Sequence, residues 1–233
     1  MPKTMIHLVR HGHVENPDRV LYGRLPGFNL SARGRAQAEL LGRYFAPIPL
    51  AGVLASPLER AQQTAAAIAA PHGLEVEMDE RLIEASSVFE GVAGNIGLYI
   101  LRHPGIWWKL RDLRTPSWGE RNVDLAERVQ AVVTAVRDRF PGQQVVLVSH
   151  QAPIWVARLA FERKPLGHWP GRRRCNLGSV TTLEFDGDRL ERLTYTEPAA
   201  AALTGAELAA PSPDPPEPDR PSASPPEPGR PGL

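Results

Sequence analysis

Arg10-His11-Gly12, Arg60, Glu84 and His150 lie far apart in this 233-residue chain, yet each stands just past a stretch that reads as the end of a buried strand. Imidazoles can attack or relay protons, guanidinium groups hold anions, and a carboxyl group gives and takes protons. In open α/β sheets ligands settle beyond the C-terminal ends of the strands, so residues at those tips converge whatever their separation in sequence. An exposed arginine is usually a solvated charge, and a lone histidine is usually structural. Two histidines, two arginines and a carboxylate at four strand tips form a stronger signal than any one of them.

The elements that must position these groups alternate along the chain. Residues 4–9 are an apolar, β-branched run that stops at a polar cluster. Ser31 caps a helix whose apolar side includes Ala36, Leu40, Leu41 and Tyr44. Residues 50–55 read as a second strand, ended by Ser56-Pro57. Pro57 suits the first position of a helix, continued by the strongly helical run 61–70. Residues 74–78 are a short strand, 123–140 a long amphipathic helix, 145–149 a fully apolar strand and about 153–162 a further helix. A hairpin closes the pattern, with strands at 179–185 and 190–196 around Asp186-Gly187-Asp188. Strands alternating with helices predict a three-layer α/β/α domain with a mostly parallel central sheet. Residues 85–120 break the rhythm and read as an insertion, a helical lid over the strand ends.

Five motifs carry a resemblance to a known family. Leu8-Val9-Arg10-His11-Gly12 comes first, then Tyr22-Gly23-Arg24 with Leu30-Ser31-Ala32-Arg33-Gly34. Ser56-Pro57-Leu58-Glu59-Arg60-Ala61 with Thr64-Ala65 follows, then Leu82-Ile83-Glu84 with Phe89-Glu90-Gly91, and last Ser149-His150. In this order they resemble the histidine phosphatase superfamily, the phosphoglycerate-mutase-like group, over about residues 4–197. The resemblance covers nearly all of a domain at 1–198; the broken rhythm marks 85–120 as its lid, and composition marks 199–233 as a proline-rich tail. It implies a metal-independent phosphomonoester hydrolase that needs no cofactor. In that reading His11 attacks phosphorus, and Arg10, Arg60 and His150 hold the phosphoryl oxygens. Glu84 protonates the leaving oxygen, and the loop Tyr22, Gly23 and Arg24 faces the substrate. The two arginines also favour the neutral His11 that attack requires. A phosphoglycerate mutase, or a silent protein that binds a phosphorylated ligand, are the alternative readings.

Several residues stay open at this level. Glu80 or Glu90 could replace Glu84 as the acid. His7, inside a strand, reads as a packed core histidine. His13 stands where the family pattern has a carboxylate, Asn16 lies one residue early for the family's loop asparagine, and Gln151 replaces a glycine. Cys175, among Arg172, Arg173, Arg174 and Asn176, reads as structural. In the insertion, Arg102, Lys109, Arg111 and Arg114 interleave with Trp107, Trp108 and Trp118. Those aromatics either contact an apolar or ring-bearing substrate or pin the lid to the core.

Composition bounds the partners. With 42% apolar and 23% charged residues and a net charge of +1, the chain has no basic excess for nucleic acid. One cysteine forms no internal disulfide, and no apolar run reaches the ~18 residues of a membrane span. No secretory leader is visible, so the expectation is a cytoplasmic protein acting on a small phosphorylated substrate, of unknown oligomeric state. From Pro211 onward 10 of 23 residues are proline and almost none is large and apolar, which predicts a disordered tail.

Overall fold

The computed structural model describes residues 2–94, 96–105, 107, 119–167 and 173–200. Six strands form one sheet: β1 Thr4–Arg10, β2 Leu50–Ala55, β3 Val76–Met78, β4 Gln144–Ser149, β5 Val180–Asp186 and β6 Arg189–Thr196. Their spatial order is β3-β2-β4-β1-β5-β6, with β3, β2, β4 and β1 mutually parallel. The β5–β6 hairpin adds on antiparallel at the β1 edge. Helices α1 Ala32–Phe45 and α2 Glu59–Ala69 cover one face. Helices α4 Asn122–Arg139 and α5 Gln151–Phe161 cover the other, and α3 Ile96–Arg102 lies in the insertion.

The apolar runs of β1 and β4 feed two cores at once. Ile6, Leu8, Val145 and Leu147 pack with Val129, Val133 and Val136 of α4 and with Ile154 and Ala157 of α5. Val9, Val146 and Val148 point the other way, to Leu41 and Phe45 of α1 and Ala65 and Ile68 of α2. Side chains alternate faces along a strand, so a strand covered on both sides is apolar throughout. His7 sits in the second core as expected, with Nδ1 paired to Thr182 Oγ1 at 2.9 Å and Nε2 to Gln144 Oε1 at 3.1 Å.

Three local expectations are corrected. Helix α1 begins at the Ser31 cap, whose hydroxyl accepts from the Gly34 N–H, but it buries Gly34, Gln37, Ala38, Leu41, Gly42 and Phe45. Ala36 and Tyr44 are exposed. Close backbone approach chooses that face: a Cβ on Gly34 would lie 1.9 Å from the His13 carbonyl oxygen, and one on Gly42 2.5 Å from that of Ala67. Pro57 lies in the turn before α2, which starts at Glu59 after an N-cap at Leu58. Helix α5 starts two residues early, with His150 itself as its N-cap. Among the described residues no helix is long and apolar enough to cross a membrane. Trp108, Lys109, Arg111, Arg114, Trp118, Arg172 and the proline-rich stretch from Pro211 lie outside the described residues.

Candidate active site

Strand pairing brings the two histidines together. Strands β1 and β4 are parallel neighbours with Arg10 opposite Ser149, so the next residues, His11 and His150, leave the sheet side by side. The His11 N–H extends the ladder to the Ser149 carbonyl at 3.1 Å, and the two imidazole rings lie 5.0 Å apart. Strand β2 ends beside them: the Ser56 N–H donates to the Val148 carbonyl, and the Ser56 hydroxyl pairs with His150 Nε2 at 2.7 Å.

The turn after β1 fixes the His11 tautomer. His11 Nδ1 lies 2.7 Å from the Gly12 carbonyl oxygen, which can only accept, so Nδ1 carries the proton and Nε2 keeps its lone pair. The turn itself needs glycine at position 12, because a Cβ there would lie 2.6 Å from the Gly34 carbonyl oxygen. Burial holds His11 well below the ordinary histidine value, and the charges of Arg10 and Arg60 press in the same direction. The sequence assigned this effect to the arginines; burial comes first. The ring is therefore neutral near pH 7, with a nucleophilic nitrogen.

A cavity of about 350 Å³ opens over His11, lined among others by Arg10, Tyr22, Gly23, Glu84, Glu120 and Arg173. Arg10 donates one Nη1 bond to the Cys175 carbonyl at 2.6 Å, while its buried Nε has no partner. Arg60 is fully buried, with one Nη2 bond to the Gly23 carbonyl at 2.6 Å and its guanidinium 4.7 Å from the centre of the Tyr22 ring. Its Nε and Nη1, like His150 Nδ1, are buried without partners. Buried donors are nearly always satisfied, so such a cluster of nitrogens beside one imidazole fits an oxyanion. Gly23 serves this geometry, since its φ of +41° and the Glu90 carboxylate 2.4 Å from a notional Cβ both exclude a side chain.

Of the sequence-stated site, Arg10, His11, Tyr22, Gly23 and Glu84 line one cavity, with Arg60 and His150 buried beside it. Among the three candidate acids only Glu84 lines it: Glu80 is exposed, and Glu90 accepts the Ser87 N–H. Arg24 is not a lining residue, and its guanidinium turns to the Glu84 carbonyl and the Glu120 carboxylate. Asn16 spends both amide atoms on the Val20 backbone, and His13 pairs with the Ser31 hydroxyl. Trp107 is 53% exposed and donates to the Ile100 carbonyl, away from the cavity wall. Cys175 is buried, and burial pushes its thiol up to about 11, as for an inert structural cysteine. Sequence reasoning missed Glu120, Asn122, Ser86, Ser87 and Arg173 as cavity residues. Arg173 carried a signal, a cation just upstream of the β5 strand, but was read only for its effect on Cys175. Among the described residues no group of three or more His, Cys, Asp or Glu side chains is arranged to hold a metal ion.

Burial of these rings has a consequence for folding. Burial also holds His150 well below 6.5, with the neighbouring His11, Arg60 and Arg10 adding to it. In the unfolded chain the same rings take up protons near the ordinary value. Below that value the unfolded state binds more protons than the folded one, so stability present at neutral pH is lost as pH falls. The slope is up to about 1.4 kcal/mol per pH unit for each ring. In phosphate-free buffer the urea midpoint should drop between about pH 7 and about pH 5. The drop should be shallower in His150→Gln; equal slopes in the two proteins would contradict this account.

The model of the histidine phosphatase superfamily (branch 1) matches residues 6–197. The chain is 52% identical over 201 residues to Rv0525, a protein of Mycobacterium tuberculosis (strain ATCC 25618 / H37Rv) described as uncharacterised, covering 86% of this chain and 100% of that one. It is 30% identical over 152 residues to "Probable phosphoglycerate mutase GpmB" of Salmonella arizonae, covering 62% of this chain and 68% of that one. Among solved structures, the mycobacterial glucosyl-3-phosphoglycerate phosphatase Rv2419c superposes with a TM-score of 0.68 at 25% identity, covering 83% of this chain and 97% of that one.

Proposed function

Since the chain belongs to the histidine phosphatase superfamily (branch 1), a group of phosphatases and mutases, we propose that it hydrolyses a phosphomonoester through a phosphohistidine on His11. One observation carries the reading: the Gly12 carbonyl holds the Nδ1 proton of a buried, neutral His11, which leaves Nε2 as the nucleophile beside Arg10 and Arg60. In the first step Nε2 bonds to phosphorus as the bond to the ester oxygen breaks, and the Glu84 carboxyl gives that oxygen its proton. The Ala85 N–H occupies Glu84 Oε1 at 2.8 Å, which leaves Oε2 as the oxygen through which the proton passes in this reading. In the second step water attacks phosphorus, the Glu84 carboxylate takes a proton from it, and the P–N bond breaks to release phosphate. Arg10, Arg60 and His150 hold the phosphoryl oxygens throughout.

One part of the cavity wall supports a substrate that carries hydroxyls. Beyond the phosphate-facing groups, Ser86, Ser87, Asn122, Glu120, Gln151 and Arg173 line the cavity beside the apolar Val20, Leu21, Ala85 and Ala152. Such polar groups suit hydroxyls and a further anion, as a sugar ring or a sugar acid carries them. The likeness to a glucosyl-3-phosphoglycerate phosphatase points the same way. The mutase reading has its own support in the 30% identity to GpmB. One assay separates them: purified protein with a panel of sugar phosphates, phosphoglycerates and alkyl phosphates. Release of free phosphate, faster from polyol and sugar-acid esters than from long alkyl esters, is expected. Interconversion of 2- and 3-phosphoglycerate with little free phosphate would overturn the hydrolase reading.

A further inference from the structure

Glu84 sits in an irregular segment, with neither helix nor strand to hold residues 83–86. An acid in such a position needs an external support, because misplacement by about 1 Å costs on the order of 10²-fold in rate. Two guanidinium groups grip the main chain here. Arg128 of α4 donates Nη1 to the Arg81 carbonyl, and Nη2 to the carbonyls of Ile83 at 2.7 Å and Glu84 at 3.4 Å. Arg24 donates Nε to the same Glu84 carbonyl at 2.7 Å. One carboxylate ties both cations together: Glu120 Oε1 accepts from Arg128 Nε at 2.7 Å, and Oε2 accepts from Arg128 Nη2 at 3.0 Å and from Arg24 Nη2 at 2.8 Å.

The three side chains come from three parts of the chain. Arg24 belongs to the loop that also carries Tyr22 and Gly23 at the cavity, Arg128 to a helix of the core, and Glu120 to the far end of the insertion. That end is stitched to the Glu84 segment by the Ser87–Gly119 bridge and by the Glu120 N–H on the Ser86 carbonyl. The side chains of Arg128 and Glu120 are 17% and 15% exposed, so their bidentate pair is far less screened than a surface ion pair.

We propose that Arg24, Glu120 and Arg128 are positioning residues that fix the Glu84 main chain so that its carboxyl group reaches the leaving oxygen. This rests on the reading of Glu84 as the proton donor. The clamp also couples the insertion to the acid, because Glu120 reaches both arginines only when the end of the insertion is in place.

Arg128→Lys is the discriminating variant. Lysine keeps the positive charge but offers a point donor where the guanidinium bridges three carbonyls and two carboxylate oxygens. Turnover of an alkyl phosphate, whose leaving oxygen needs a proton, should fall by about 10- to 100-fold with KM little changed. Turnover of p-nitrophenyl phosphate, whose leaving group needs none, should fall far less. In the Glu84→Gln background Arg128→Lys should leave the alkyl-to-aryl ratio where it stands. Should Arg128→Lys fold poorly, Arg24→Lys reads the same skew from a side chain that is 34% exposed. Equal losses on both substrates, or none, would overturn the clamp while leaving the acid reading intact. If Glu84→Gln itself shows no preference for the better leaving group, the acid reading falls and takes the clamp with it.

Discussion

His11→Ala is expected to abolish turnover, by on the order of 10⁶-fold, as when a covalent nucleophile is removed. Rapid quench of the wild-type protein with labelled substrate should trap a phosphoenzyme that is alkali-stable and acid-labile, as a P–N bond is. The variant should form none. The Gly12 carbonyl presents one ring nitrogen rather than two, so the adduct should be the Nε2 isomer. Mass spectrometry of the alkaline digest can locate it. Folding is checked separately by thermal melting, because a truncation in a buried site leaves a cavity. A phosphoenzyme on any other residue, or full activity of the variant, would sink the proposed chemistry.

Arg60→Met should separate activity from stability. Arg60 has 0% exposure, stands in the first turn of α2 where a helix disfavours a cation, and leaves two guanidinium nitrogens without partners. Burial lowers its affinity for a proton, so the fold carries this charge at a cost. An incompletely paired buried ion costs several kcal/mol, whereas removing it strands the Gly23 carbonyl at about 1–3 kcal/mol. The first magnitude exceeds the second. The melting temperature in phosphate-free buffer should therefore hold or rise, although methionine keeps only the length and apolar bulk of the stem. Turnover should fall by about 10³-fold or more, the value of an arginine on a transferred phosphoryl group. Inorganic phosphate should raise the melting temperature of the wild type and much less that of the variant. A large thermal loss with activity retained would show Arg60 to be a structural residue.

Much of the frame was legible because β1 and β4 are apolar on both faces and end abruptly at polar groups. From those endings alone Arg10, His11 and His150 could be placed at strand tips. Their neighbourhood was not: only the register of Arg10 against Ser149 sets the two rings side by side. The face of α1 was misread because apolar count favoured Ala36 and Tyr44, while close backbone contact at Gly34 and Gly42 dictated the rotation. Glu84 could be preferred over Glu80 and Glu90 by motif, but only the cavity wall distinguishes them in space. Glu120 and Arg173 escaped because no periodic pattern marks a loop residue that reaches a site across the fold. Arg24 escaped differently, since its loop does border the cavity while its guanidinium points to a carboxylate some 96 residues away in sequence.

The place of β1 in the sheet also sets the timing of assembly during synthesis. Among the described residues its two strand neighbours are β4 and β5, which end at Ser149 and Asp186, whereas β2 already finds β3 by Met78. A ribosome working at about 5–20 residues per second thus holds the strand that leads into His11 unpaired for roughly seven seconds to half a minute after it emerges. That strand is the apolar, two-sided segment a nascent-chain chaperone would shelter. Nor does a prematurely terminated product lacking the last third of the domain retain either neighbour of the strand before His11. The juxtaposition of the two histidines is consequently a property of a chain synthesised past β4, and shorter fragments carry His11 without the strand that sets it beside His150.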